Sequence, residues 1–222
     1  MKNKIIDILK QYTQHNHIFL TERGNKAVLT ALRIAKNKFP NGKILIPEQG
    51  SWITYFQYAK KLKFNIGKLE TDYGVIDLST LMEKDASSII YSNPAGYYSE
   101  QPVMEIYEIC KKNNIFAILD ISGCIGSGFY IGNYADIIVC SFGKWKPVNL
   151  GYGGFISIKD HNILKKDYLE NLKFKKEYYV PLYEKLINLK KRYQFFEKIN
   201  KKIKQELKHF NILHKDNNGI NV

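Results

Sequence analysis

Short, largely apolar runs recur through the first 158 residues of this 222-residue chain: KILIP at 43–47, SSIIYS at 87–92, IFAILD at 115–120, Asp136 to Cys140 and Phe155 to Ile158, with a further strand-like stretch at residues 64–70. None alternates polar with apolar residues, so the strands they predict are expected to be covered on both faces. Between them lie stretches with helical spacing. Residues 25–38 place Ala27, Val28, Leu32 and Ala35 on one face, 52–63 return to helix, and Pro102 to Asn113 carries its proline near the first turn. A further helix is expected over 1–12. Strands joined by helices of this length pair through βαβ crossovers. The predicted fold is therefore α/β, a mostly parallel sheet with helices on both faces. Ligands in such folds lie beyond the carboxyl ends of the strands, where Asn93, Asp120 and Ser141 fall.

After residue 158 the pattern changes. From Leu186, apolar residues recur at Leu189, Tyr193, Phe196, Ile199, Ile203, Leu207 and Phe210 in steps of three or four, which predicts one long amphipathic helix. The chain divides there into an α/β domain, 1–158, and a basic helical extension, 159–222, whose last residues, HKDNNGINV, are expected to fray. Residues 159–222 hold 16 Lys+Arg against 8 Asp+Glu, and residues 1–158 hold 18 against 13, so the extension carries most of the +13 net charge. Such a surface suits an acidic partner or nucleic acid. The extension has one arginine, Arg192, and no nucleic-acid motif, and a solvated helix face accounts for the charge more simply. No apolar run approaches the roughly 20 residues that cross a bilayer, and MKNKIIDILKQYTQ lacks the apolar core and cleavage site of a signal peptide. Cys110, Cys124 and Cys140 have no CxxC spacing. They read as reduced thiols of a cytoplasmic protein, with neither a disulfide frame nor a metal site.

Four segments are hard to explain as scaffold. In ERGNKAV, 22–28, a glycine leads into a helix whose first amides can bind an anion such as phosphate; an ordinary helix cap is the other reading. In PEQGSWITYF, Trp52 follows a strand and opens a helix at the ligand edge, where it either stacks on a planar ring or fills the core. In AILDISGCIG, 117–126, Asp120 ends a buried strand and either caps a turn or faces a cationic ligand group. In SFGKWKPVNLGYGG, Lys144 and Lys146 sit among Gly143, Gly151, Gly153 and Gly154, between two buried strands. Glycine lets the backbone approach a ligand closely or take positive φ. A lysine partly desolvated in such a loop has a lowered pKa and becomes a usable nucleophile.

In this order the segments resemble the fold type I pyridoxal-phosphate enzymes, and most closely the DegT/StrS-type sugar aminotransferase family. RGNKA looks like the family's phosphate loop and PEQGSW like the segment with the ring-stacking aromatic. LDISGCIG is similar to the strand-end Asp followed by small residues, and SFGKWKPVNLGYGG to Ser-Phe-x-x-x-Lys followed by Gly-x-Gly-Gly. SNPAGYYSE, 92–100, is similar to the Asn-Pro-x-Gly segment of related aminotransferases. The resemblance runs from about residue 20 to 158.

It implies pyridoxal 5'-phosphate as cofactor and transfer of an amino group from an amino donor to a keto sugar or small keto compound. It also implies a homodimer whose subunits complete the site, a hetero-subunit being the other arrangement. Carried over by residue, Lys146 would form the Schiff base and move protons at the substrate carbon, its register fixed by Ser141, with Lys144 as the alternative. Asp120 would pair with the protonated pyridine nitrogen, Trp52 would stack on the ring, Gly24, Asn25 and Ser141 would hold the phosphate, and Asn93 could reach the ring hydroxyl. Three departures stand out. Asn25 replaces the usual Ser or Thr. Gly123 stands where a His or Gln usually contacts the cofactor region. Only residues 159–222 follow the glycine loop, in place of the family's small domain. The departures motivate a second reading, a catalytically degenerate subunit of this fold that binds a partner.

Overall fold

The computed structural model describes residues 1–130, 132–170 and 172–222. Nine strands are described: β1 His17–Thr21, β2 Lys43–Pro47, β3 Asn65–Leu69, β4 Thr71–Asp72, β5 Val75–Ile76, β6 Ser88–Ser92, β7 Phe116–Asp120, β8 Ile137–Ser141 and β9 Gly154–Ile158. The α-helices are α1 Lys2–Thr13, α2 Gly24–Lys38, α3 Ile53–Lys61, α4 Leu78–Glu83, α5 Val103–Lys112, α6 Lys166–Glu170, α7 Tyr179–Ile187 and α8 Leu189–Glu206. Seven strands form one sheet in the order β1-β9-β8-β7-β6-β2-β3, and β4 and β5 make a separate two-stranded ribbon. β9 runs antiparallel to both β1 and β8, while the other pairings in the large sheet are parallel. The mostly parallel sheet expected from the apolar runs is the sheet observed.

The interior runs, β2 and β6 to β9, are largely apolar because successive residues feed two cores; β3, at the sheet edge, departs from that expectation, with Asn65 and Lys68 exposed. Ile44, Ile46, Ile118, Val139 and Ile156 point to the layer under α2 and α3, with Ala27, Ala31, Leu32, Tyr55 and Ala59. Leu45, Ala117, Leu119, Ile138 and Phe155 point to the layer under α1, α5 and α7, with Ile5, Leu9, Ile106, Leu182 and Leu186. A polar residue at any of these positions would be buried without water, so alternation has no place. β1 is not among the sequence expectations. HIFLT is short and leads with a histidine, and it becomes a strand by pairing with β9 along its whole length, His17 to Ile158 through Thr21 to Gly154.

Beyond residue 158 the structure corrects two expectations. The long amphipathic helix expected there is present as α8, Leu189–Glu206, but it starts later than expected: Leu186 belongs to α7, and Asn188 ends that helix and begins α8. The Asn188 side-chain amide donates to the Glu184 carbonyl at 2.9 Å, so the side chain takes an acceptor of the helix ladder. On α8 Leu189, Tyr193 and Asn200 are buried, while Ile199 and Ile203, and Leu207 and Phe210 just beyond the helix, remain exposed. The second correction concerns HKDNNGINV, which does not fray. Ile220 N and Asn221 N donate to the Tyr97 carbonyl at 2.8 and 3.0 Å, and Glu100 N donates to the Asn218 carbonyl at 2.8 Å. Asn200 on α8 holds the Asn221 carbonyl at 2.7 Å. Polar residues that look like a solvated tail are here the donors and acceptors of a docked segment.

Candidate active site

The sheet delivers its site residues by register. Asp120 ends β7 opposite Ser92 of β6 on one side and Val139 of β8 on the other. Ser141 ends β8 opposite Gly154, and Gly154 is opposite Thr21, three residues before α2 begins. The start of α2 is thereby set against the end of β8. A Cβ on Gly24 would lie 2.4 Å from the Ser141 Cβ, and one on Gly154 would lie 2.4 Å from the Cys140 carbonyl oxygen. At Gly154 backbone meets backbone, and at Gly24 the helix start meets the Ser141 side chain, so neither position has room for a Cβ. Gly24→Ala is expected to cost about 1–3 kcal/mol through forced displacement. It would be read as a thermal midpoint lowered by roughly 2–4 °C per kcal/mol.

The loop after β8 is closed at its neck by the Phe142 carbonyl, which accepts from Leu150 N and Gly151 N at 2.9 and 3.0 Å. Within it Lys146 N donates to the Gly143 carbonyl at 3.3 Å, with Trp145 at φ 67°. This is a four-residue turn whose third residue is left-handed. The turn throws Lys144 and Trp145 outward, Trp145 being 87% exposed, and brings Lys146 back to a half-buried position. Lys146 lines the inner cavity beside Asp120, whereas Lys144 lines only the outer cleft. Sequence spacing left two lysines open; the turn separates them.

The inner cavity, about 50 Å³, is lined by Gly24, Asn25, Trp52, Asp120, Ser141 and Lys146 together with Val28, Tyr97, Ser122, Val139 and Cys140. It shares five of these, Gly24, Asn25, Trp52, Ser141 and Lys146, with an outer cleft of about 690 Å³ that also takes in Arg23 and Tyr152. Six of the seven residues singled out from the sequence meet here. Asn93 is the exception. It does not line the cavity, and its carboxamide oxygen accepts from Gln101 N at 2.9 Å, tying down the segment between β6 and α5. Trp52 is 45% exposed and donates from Nε1 to Asn25 Oδ1 at 3.1 Å, so it walls the cavity instead of filling the core.

Asp120 is buried, and no Lys or Arg among the described residues forms an ion pair with it. Its Oδ2 accepts from the Tyr55 hydroxyl at 2.7 Å and its Oδ1 from Ser122 N at 2.8 Å. Burial, reinforced by Asp120, pushes the Tyr55 phenol well up, so it stays a donor. Lys146 Nζ donates to the Tyr97 hydroxyl and lies 4.1 Å from the Tyr97 ring centroid and 5.2 Å from that of Trp52. Burial lowers the Lys146 pKa, opposed in part by Asp120 and Cys140. Ser141 Oγ accepts from Gly143 N at 3.2 Å, and Ser141 N donates to Ser122 Oγ at 2.7 Å. Tyr55, Tyr97 and Ser122 escaped the sequence reading. Tyr55 sits three residues after Trp52 and Ser122 two after Asp120, inside quoted motifs, but their partners are set only by the fold.

A buried carboxylate, a half-buried amine, a partly exposed indole and a glycine-led helix start beside a serine hydroxyl together suit a molecule of a particular description. It has a cationic ring nitrogen, an aldehyde, a flat ring and a phosphate. Pyridoxal phosphate fits it. The fold is that of the large domain of pyridoxal-phosphate-dependent transferases, as solved structures bear out. The SepCysS–SepCysE N-terminal domain complex superimposes with TM-score 0.75 at 14% identity, covering 97% of this chain and 66% of that one. Serine palmitoyltransferase of Sphingomonas wittichii gives 0.73 at 14%, covering 93% and 56%. Ureidoglycine–glyoxylate aminotransferase of Bacillus subtilis gives 0.71 at 14%, covering 93% and 63%. The chain thus spans between about half and two thirds of their length. No curated protein matches it in sequence. The DegT/DnrJ/EryC1/StrS aminotransferase family model matches residues 4–178, and the chain belongs to that family. No helix among the described residues is long and apolar enough to cross a membrane.

Proposed function

We propose that this chain binds pyridoxal phosphate and transfers an amino group from an amino donor to a keto sugar or small keto compound, with Lys146 as the attachment residue. The observation that carries the reading is the convergence of Lys146, Asp120 and Trp52 on one cavity that opens past Gly24, Asn25 and Ser141. The cofactor, when bound, supplies an aldehyde that condenses with amines and a ring that takes up an electron pair.

The chain's own residues do the rest. Asp120 offers negative charge to a ring nitrogen from a site dry enough for the attraction to count, and Tyr55 and Ser122 hold that carboxylate in place. Burial gives Lys146 a larger neutral fraction at Nζ than a surface lysine has. The same Nζ can therefore attack a carbonyl and afterwards accept and return a proton. Trp52 presents a flat face, held by Asn25. The start of α2 and the Ser141 hydroxyl supply donors for a phosphate. A second copy of the chain closing the outer cleft belongs to this reading, since the exposed Trp145 and half-exposed Trp52 stand on its wall. The domain division at residue 158 is part of it too, the α/β segment carrying the site residues.

The test is spectroscopic. Pyridoxal phosphate added to the purified protein is expected to develop a visible band, which glutamate then discharges with formation of 2-oxoglutarate. A band that forms but never discharges with any amino donor supports the degenerate-subunit reading instead. Absence of the band overturns the aminotransferase reading.

A further inference from the structure

We propose that Tyr97 is a positioning residue of this site, holding Lys146 Nζ through its hydroxyl and forming the aromatic wall opposite Trp52. The inference rests on Lys146 being the reactive lysine of the proposed function.

Three observations converge. The Tyr97 hydroxyl accepts from Lys146 Nζ, and both Tyr97 and Trp52 rings face that ammonium, at 4.1 and 5.2 Å. The Tyr97 ring occupies the space above Gly123: a Cβ there would lie 2.7 Å from Tyr97 Cδ1 and 2.8 Å from Pro94 Cδ. The space a side chain at Gly123 would take is thus held by a tyrosine arriving from another segment. The third observation is the backbone. Tyr97 sits at φ 69°, a left-handed conformation uncommon for an aromatic residue, and here it is held by neighbouring segments. The Tyr97 carbonyl takes hydrogen bonds from Ile220 N and Asn221 N, and Asn217 Nδ2 reaches Ser99 Oγ at 2.8 Å. Burial, with Asp120 nearby, pushes the Tyr97 phenol up, so it stays protonated. A neutral phenol can accept from the ammonium and, after rotation, donate to the free amine. It therefore holds Nζ in either protonation state.

The charged and titratable groups facing Nζ are Asp120 and Cys140 from the sheet and Tyr97 from its loop, with Lys144 and Arg23 farther out on the cleft. The experiment measures the rate of Lys146 acetylation by acetic anhydride against pH, resolved by peptide mass, in protein without cofactor. Tyr97→Phe keeps the ring and removes the acceptor of the ammonium. The bond from the ammonium is charge-assisted and stronger than the bond to the free amine, so the apparent pKa of Lys146 should fall, giving labelling about three- to tenfold faster below it. Tyr97→Ala admits water and should move the pKa the opposite way, toward that of an ordinary lysine. Gly123→Ala, which displaces the ring sterically, should follow Tyr97→Ala. A pKa that is unchanged or raised in Tyr97→Phe overturns the proposal. That variant retains the packing, and near-ultraviolet circular dichroism checks its fold. Because no cofactor is present, failure of pyridoxal phosphate to bind would sink the proposed function and leave this result standing.

Discussion

Replacing Lys146 with alanine is expected to abolish the visible band that pyridoxal phosphate develops on the protein, while Lys144→Ala leaves it in place. The two lysines are two residues apart in sequence, but the turn at Gly143–Lys146 sends one inward to the Asp120 cavity and the other to the outer cleft. Loss of the amine is all-or-none for covalent attachment, so the expected effect is complete disappearance of the band. Residual non-covalent binding would be visible by dialysis. Lys146→Ala should also change how stability varies with pH. Burial sets the folded-state pKa of Lys146 below its ordinary 10.5. Between those two values the unfolded chain binds a proton that the folded chain does not, so wild-type stability rises with pH across that window and is lower beneath it. The alanine variant should lack this rise. A band that persists in Lys146→Ala and vanishes in Lys144→Ala would reverse the assignment.

Asp120→Asn is expected to leave the fold nearly intact and to slow amino-group transfer by about 10- to 1,000-fold, the range that one lost opposite charge at close range implies. The amide oxygen can still accept from Ser122 N, and the Tyr55 hydroxyl can rotate to accept where it now donates. What goes is the negative charge. Asp120→Ala differs in kind: it strands the Tyr55 hydroxyl and Ser122 N in a buried place and should cost about 1–3 kcal/mol per orphaned group. Single-turnover spectra with glutamate measure the first effect and thermal midpoints the second. If Asp120→Asn turns over at the wild-type rate, the carboxylate does not serve the ring nitrogen.

The parts of this site that could be read from the sequence are those whose meaning is local. Gly24, Trp52, Asp120 and Ser141 each sit at a strand end or helix start, and the alternation between apolar run and helix period fixes such positions within a residue or two; Lys146, in the loop after β8, is found only by its spacing from Ser141. Asn93 looked equivalent because it follows β6 in the same way, but its side chain turns toward Gln101. Nothing in the one-dimensional pattern reports that rotation. Tyr55 and Tyr97 were out of reach for a related reason. Their roles depend on partners 65 and 49 positions away. A tyrosine beside a motif carries no mark of which distant group its hydroxyl meets. The same holds for β1, which exists by pairing with β9, and for α7 and α8, where a single side-chain bond at Asn188 interrupts an otherwise continuous apolar period.

The segment 217–222 docked on the loop of Tyr97 bears on the order in which the molecule assembles. Asn218 and Glu100 are 118 positions apart, so their pairing closes a long loop and contributes only after the sheet that brings α8 into place has formed. The cavity wall carrying Tyr97 should accordingly be among the last elements to lock and the first to release. In hydrogen exchange, the amides of Glu100, Ile220 and Asn221 should open together, at a lower free energy than those of β7 and β8. They would mark a small cooperative unit that can let go of the site while the core stays closed.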